Sequence, residues 1–126
     1  MLRKFNPEGA PAPAFYSHGV EVVSPQRMVF VAGQVGVRAD GTVPEGIAEQ
    51  TRVAIDNLKA VLAGAEMDVS DIVKSTIYLT DESLMEGFAA AGGGLLPSPP
   101  PATTLLYVKA LASPALLIEI EAIAAK

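Results

Sequence analysis

The chain has no cysteine, which excludes disulfides and thiolate-held metals and leaves nothing that asks for an oxidising compartment. It has one histidine, His18, with no second ligand candidate beside it, so a structural role is expected for it and no metal site. No run approaches the roughly 20 apolar residues that a membrane span needs. After Arg3 and Lys4 come Asn6, Pro7 and Glu8 instead of an apolar stretch, which is not the pattern of a signal peptide. The expectation is a cytoplasmic protein with no membrane partner. Positive charge is also scarce: 9 Lys and Arg against 14 Asp and Glu give a net charge of −5. The cations are scattered, at Arg3, Arg27, Arg52, Lys59 and Lys109 among others, and form no basic stripe for neutralising phosphates. Nucleic acid is therefore not an expected partner.

What is present is a chain of 126 residues, half of them hydrophobic, long enough for one domain over 1–126 with its own core. Residues 1–13 are rich in Pro, Ala and Gly and read as an extended arm. Residues 15–23 suit a first strand, and 28–32, an apolar run between Pro25 and Gly33, a stronger one. Asp40-Gly41 marks a turn. Over 46–63 the spacing of Ile47, Thr51, Ala54, Ile55, Leu58, Val61 and Leu62 predicts an amphipathic helix, with Arg52 and Asp56 spaced to pair on its outer side and Gly64 as its stop. Residues 71–79 alternate as a strand, with Ile72, Lys74, Thr76 and Tyr78 on one face and Val73, Ser75, Ile77 and Leu79 on the other. Thr80 or Asp81 caps a short second helix carrying Leu84, Met85 and Phe88, which the run Gly92–Gly94 ends. That run is no phosphate loop, since no strand feeds it and no Lys-Ser/Thr pair follows. After a proline-rich segment, strands are expected over 104–111 and 116–124.

The last strand alternates informatively. Ile118, Ile120 and Ala122 point one way and suit a face covered by helices; Glu119, Glu121 and Ile123 point the other. The order β-β-α-β-α-β-β predicts an α+β fold, a mixed sheet with two helices packed on one face. Two helices cover only one face, yet the strand over 28–32 is apolar on both. Burying the second face requires another subunit, so an oligomer is expected.

Several strings, taken together and in order, resemble the Rid (YjgF-type) family. They are Asn6-Pro7-Glu8-Gly9-Ala10-Pro11 with Tyr16-Ser17-His18, Val31-Ala32-Gly33-Gln34, Asn57-Leu58-Lys59-Ala60-Val61-Leu62, the strand from Asp71 to Asp81, and Glu119-Ile120-Glu121-Ala122-Ile123-Ala124. The resemblance runs through nearly the whole chain. It implies a chorismate-mutase-like fold and a homotrimer whose sheets face a central barrel, with small-molecule ligand pockets in the clefts between subunits and no metal or organic cofactor. It also implies hydrolysis of imines and enamines to keto acids and ammonia, with an arginine fork holding the substrate carboxylate and a glutamate positioning water.

Carried over by position, Tyr16 matches the pocket tyrosine, Gly33 the glycine whose backbone lines the pocket, and Glu121 the water-positioning glutamate. The arginine does not carry over. The family's Pro-Ala-Arg-Ser/Thr reads Pro101-Ala102-Thr103-Thr104 here, with Thr103 opposite the arginine, or Thr104 if the last loop is one residue longer; the position after the motif is Leu105, and Ala89 replaces a helix asparagine. Threonine makes no charge-assisted fork, and losing one costs about 2–5 kcal/mol where the partner charge is desolvated. The expected pocket of Tyr16, Thr103, Leu105 and Glu121 suits a neutral or cationic ligand. Plainer readings stand beside these: Glu121 and Glu119 as interface or solvent carboxylates, Tyr16 as packing for the arm, and both threonines as ordinary strand residues. Four functions compete: a divergent hydrolase of imine-like substrates other than the usual 2-imino acids, a non-catalytic metabolite-binding trimer, a 2-iminobutanoate/2-iminopropanoate deaminase with another anion clamp, and, last, an endoribonuclease.

Overall fold

The computed structural model describes residues 1–92 and 97–126, so Gly93 and Gly94 of the expected helix stop lie outside the described residues. The chain opens with an unforeseen strand, β1 (Leu2–Phe5), inside the segment read as an arm. It pairs antiparallel with β2 (Gly19–Val22). Side-chain contacts explain the pairing: Arg3 Nε donates to Glu21 Oε1 at 2.9 Å, the Arg3 guanidinium lies 4.6 Å from the Phe5 ring centroid, and the Phe5 ring occupies the space that a Cβ on Gly19 would fill. The strand expected over 15–23 is correspondingly shorter, because Ser17 leaves it to bridge Ala102.

The main sheet has four strands, β3 (Met28–Val35), β4 (Ile72–Leu79), β5 (Ala102–Tyr107) and β6 (Ile118–Ala125), in the order β3-β6-β4-β5. The β4–β5 pair is parallel and the other two pairs are antiparallel, so the sheet is mixed, as expected. Strand β5 starts earlier than the sequence reading had it, at Ala102 opposite Lys74, and ends at Tyr107 instead of running on to Leu111.

Helix α1 (Ile47–Gly64) lays Thr51, Ala54, Ile55, Leu58 and Leu62 against β3 and β6. Two details differ from the sequence reading. Val61 is exposed and the stripe instead takes in Gln50, which is buried because its amide closes three backbone positions: Nε2 donates to Pro44 O at 3.0 Å and Ala115 O at 2.9 Å, and Oε1 accepts from Leu117 N at 2.9 Å. Arg52 pairs with Glu49 at 3.2 Å, one turn back, instead of with Asp56. The helix runs through Gly64, and Glu66, at φ 59, makes the left-handed turn. Asp81 is the second cap, accepting from Ser83 N at 2.8 Å at the start of a 3-10 turn that leads into α2 (Met85–Gly92).

The core lies between the helices and one face of the sheet, around Leu58, Leu62, Ile72, Leu79, Ile118 and Ile120. A register shift between Ile72 and Lys74 turns Ile72 into this core, so only Lys74, Thr76 and Tyr78 of β4 keep the opposite face. No helix among the described residues is long and apolar enough to cross a membrane.

Candidate functional site

The alternation of the strands divides the chemistry between the two faces of the sheet. On the helix side, β5 presents Thr103 and Leu105 beside Ser75 and Ile77 of β4, their parallel neighbours. Between these residues, α2 and the segment before β2 lies a cavity of about 590 Å³. Its walls include Phe15, Tyr16, Ile77, Phe88 and Leu105, and Thr103 contributes a hydroxyl. No Lys, Arg, His, Asp or Glu lines it among the described residues. The segment before β2 is pinned to the residues just ahead of β5: Ser17 N donates to Pro101 O at 3.0 Å and Ser17 Oγ to Pro100 O at 2.6 Å. Three of the five expected site residues, Tyr16, Thr103 and Leu105, therefore meet here. Thr103 and not Thr104 faces the cavity; Thr104, one residue on, points to the other side, where Lys74 Nζ donates to its Oγ1 at 2.6 Å. His18 stands edge-on to Tyr16, ring centroids 5.3 Å apart, and the His18 backbone N donates to Asn6 Oδ1 at 2.9 Å.

The other two expected residues, Gly33 and Glu121, lie away from that cavity. The open face carries Glu119 and Glu121 from β6, Lys74, Thr76 and Tyr78 from β4, Thr104 from β5, and the exposed apolar side chains Met28 and Phe30 from β3. A depression of about 450 Å³ beside Phe30, Lys74, Thr76 and Glu121 opens on this side. Here the two carboxylates differ. Glu121 Oε1 accepts a 2.5 Å hydrogen bond from the Tyr78 hydroxyl, and that bond, followed by desolvation and the charges of Glu121 and Glu119, raises the tyrosine pKa above its ordinary value. Glu119 has no hydrogen-bond partner among the described residues and lies directly over Gly33, where a Cβ would come 2.6 Å from its carboxyl carbon. Glycine at position 33 is what lets this carboxylate approach the backbone.

Sequence reasoning missed Ser75, Tyr78 and Glu119 as parts of these constellations. Their faces were legible from the period of two. Which residue meets which depends on strand register, and in β4 on a register shift that no local signal announces. No group of three or more His, Cys, Asp or Glu side chains that could hold a metal occurs among the described residues.

The fold thus defines a class: an α+β domain with one sheet face closed by helices beside an apolar cavity and the other left open and acidic. Comparison with known proteins narrows it. The Endoribonuclease L-PSP family matches residues 8–126, and the chain belongs to this family, also called YjgF/Rid. Over 71 residues it is 38% identical to the 2-iminobutanoate/2-iminopropanoate deaminase of Escherichia coli K12, a match covering 56% of each chain. By sequence the chain thus spans about half the length of such relatives. Solved structures extend the likeness to the whole fold. The Rid-family protein YyfB of Yersinia pestis, of unknown function, superposes with a TM-score of 0.85 at 34% identity, covering 99% of this chain and 98% of that one. The YjgF gene product of Escherichia coli superposes with a TM-score of 0.72 at 32% identity, covering 98% of both.

Proposed function

We propose that this protein hydrolyses imine or enamine bonds at sites formed between subunits of a homotrimer, each site joining the cavity of one copy to the open face of another. The observation that carries this reading is the division of the expected site residues. Tyr16, Thr103 and Leu105 open to the helix side of the sheet while Gly33 and Glu121 belong to the open side, with Glu119 beside them, and one copy cannot fold its sheet to bring the two sets together. A second copy resolves both this split and the exposed Met28 and Phe30. The name of the Escherichia coli relative, an iminobutanoate and iminopropanoate deaminase, supports the reaction type.

In this reading Glu119 takes the water-positioning role expected of Glu121. It is the unengaged carboxylate and it sits over Gly33, whereas Glu121 is tied to Tyr78. Water attacks the carbon of the protonated imine as Glu119 takes one of its protons and the C=N electrons pass to nitrogen; Glu119 then returns that proton to the nitrogen, and the aminoalcohol collapses to the carbonyl product as the C–N bond breaks, its hydroxyl proton leaving on ammonium. Because threonine stands where the family has arginine, the substrate differs from the usual 2-imino acids. No cofactor enters these steps, and the reaction belongs in the cytoplasm. An endoribonuclease reading, which the family's name invites, is opposed by the net charge of −5 and by the engagement of Arg3 and Arg52 in ion pairs.

The test is ammonia release from imines generated in situ by amino-acid and amine oxidases, with native protein, Glu119→Gln and Glu121→Gln side by side. Native protein should accelerate at least one imine, and Glu119→Gln should lose about 100-fold, the low end for a positioned general base. No acceleration of any imine overturns hydrolysis; bound ligand without turnover would make the protein a metabolite carrier.

A further inference from the structure

The cavity between α2 and β5 carries more information than its apolarity. Thr103 Oγ1 lies 2.9 Å from Ser75 Oγ and 3.3 Å from Pro101 O. Either hydroxyl can donate across the 2.9 Å contact, but the Pro101 carbonyl only accepts, and Thr103 is the hydroxyl within reach of it. Ser75 is 2% exposed and has no other acceptor for its proton among the described residues, so the order Ser75 to Thr103 to Pro101 O is the one that gives both protons a partner. This chain uses both hydroxyl protons and leaves Thr103 Oγ1 one unshared lone pair at the cavity wall. The site therefore presents an acceptor. A carboxylate, which is acceptor-only and charged, finds no partner there; an N–H group does.

Nothing nearby reverses this preference. The lining holds no cation among the described residues. The face that a second copy would offer is acidic through Glu119 and Glu121, and its Lys74 is engaged with Thr104. Ile77, Phe88 and Leu105 form an apolar seat in a volume within the roughly 300–1,000 Å³ typical of small-molecule sites.

We infer that the preferred ligand is an imine or iminium with an apolar tail and no carboxylate, and that Thr103 selects it by accepting a hydrogen bond from its N–H. This rests on the imine reading above and names its substrate class. The balanced reaction is R–CH=NH2⁺ + H2O → R–CHO + NH4⁺: the water oxygen bonds to carbon, the C–N bond breaks with its electron pair going to nitrogen, and both water protons end on ammonium. The class of reaction that supplies such a substrate is the oxidation of a primary amine, not of an amino acid.

The experiment separates binding from turnover. Affinities of the assembled protein are measured by calorimetry for three molecules with the same branched tail: 3-methylbutanamide, a neutral donor; N,N-dimethyl-3-methylbutanamide, a neutral acceptor; and 4-methyl-2-oxopentanoate, which bears a carboxylate. Native protein should bind the first at least about tenfold more tightly than either of the others, the factor that one hydrogen bond of about 1.4 kcal/mol provides. Thr103→Val, which keeps the shape and removes the oxygen, should erase the difference between the two amides; Thr103→Arg should transfer preference to the keto acid. Turnover is then compared for the imines of 3-methylbutylamine and leucine, each formed by its oxidase. Amide preference without turnover of either imine sustains the ligand class and overturns hydrolysis. Tighter binding of the keto acid, or faster turnover of the leucine imine, overturns the ligand class and leaves hydrolysis standing. Failure to bind any of the three overturns the ligand class outright.

Discussion

On β6, Ile118, Ile120 and Ala122 are buried within the chain, while Glu119, Glu121 and Ile123, alternating with them, remain partly exposed. The same contrast runs across the sheet: Val31 is 4% exposed and its neighbour Phe30 72%. One face is completed by α1 and α2; the other mixes apolar side chains with two carboxylates, a lysine and a tyrosine. The covered face is where stability resides. The open face is too polar for a core and too apolar for a free surface, a composition that fits contact with another copy around a wet, acidic site.

This comparison can be broken. The largest effect should come from Ile118→Ala, which deletes a fully buried side chain between the helices and the sheet and should cost about 2–5 kcal/mol in denaturant unfolding. A cost below about 1 kcal/mol would mean the helix-side core is less tightly closed than its burial indicates. Phe30→Asp should act on assembly instead. Sedimentation should shift from the proposed trimer to single chains while far-ultraviolet circular dichroism stays unchanged, since a side chain this exposed contributes little within one chain. An unchanged sedimentation coefficient would remove the open face from the interface. Smallest is Tyr78→Phe. The Glu121 bond raises the Tyr78 pKa, so the stability it lends is fully present below the tyrosine's unfolded pKa, near 10.0, and is lost as pH rises through the higher folded value. The variant should therefore be slightly less stable than native protein at neutral pH and converge with it at high pH, flattening the alkaline limb of the stability profile; an unaltered alkaline limb would show that the bond does not hold in solution.

Much of the fold was legible because burial imposes a period. The stripe from Ile47 to Leu62 could only be a helix against a sheet, and the alternation through 118–124 assigned both faces of β6 correctly. What escaped was chosen by tertiary contact. Gln50 looks like a surface residue until Pro44, Ala115 and Leu117 are known to surround its amide. Strand β1 is four residues long and gains its identity from Glu21 and Gly19, far along the chain. For the site, residue types near Thr103 were readable from spacing, but the proton chain through Ser75 was not, because it depends on the β4–β5 register. Glu121 and Glu119 are equivalent in the alternation, and only the Tyr78 hydroxyl and the missing Cβ of Gly33 tell them apart.

The strand order β3-β6-β4-β5 has a consequence for how the protein comes into being. Of the four strands of this sheet, the one made last joins its halves, since β3 and β4 touch only through β6. Until residues 118–125 have left the ribosome, a growing chain holds two apolar strands with unpaired edges and nothing to insert between them, the state most prone to wrong pairing. Productive folding must therefore wait for the end of β6, and a nascent chain stalled before Ile118 should be a ready client for chaperones that shield strand edges.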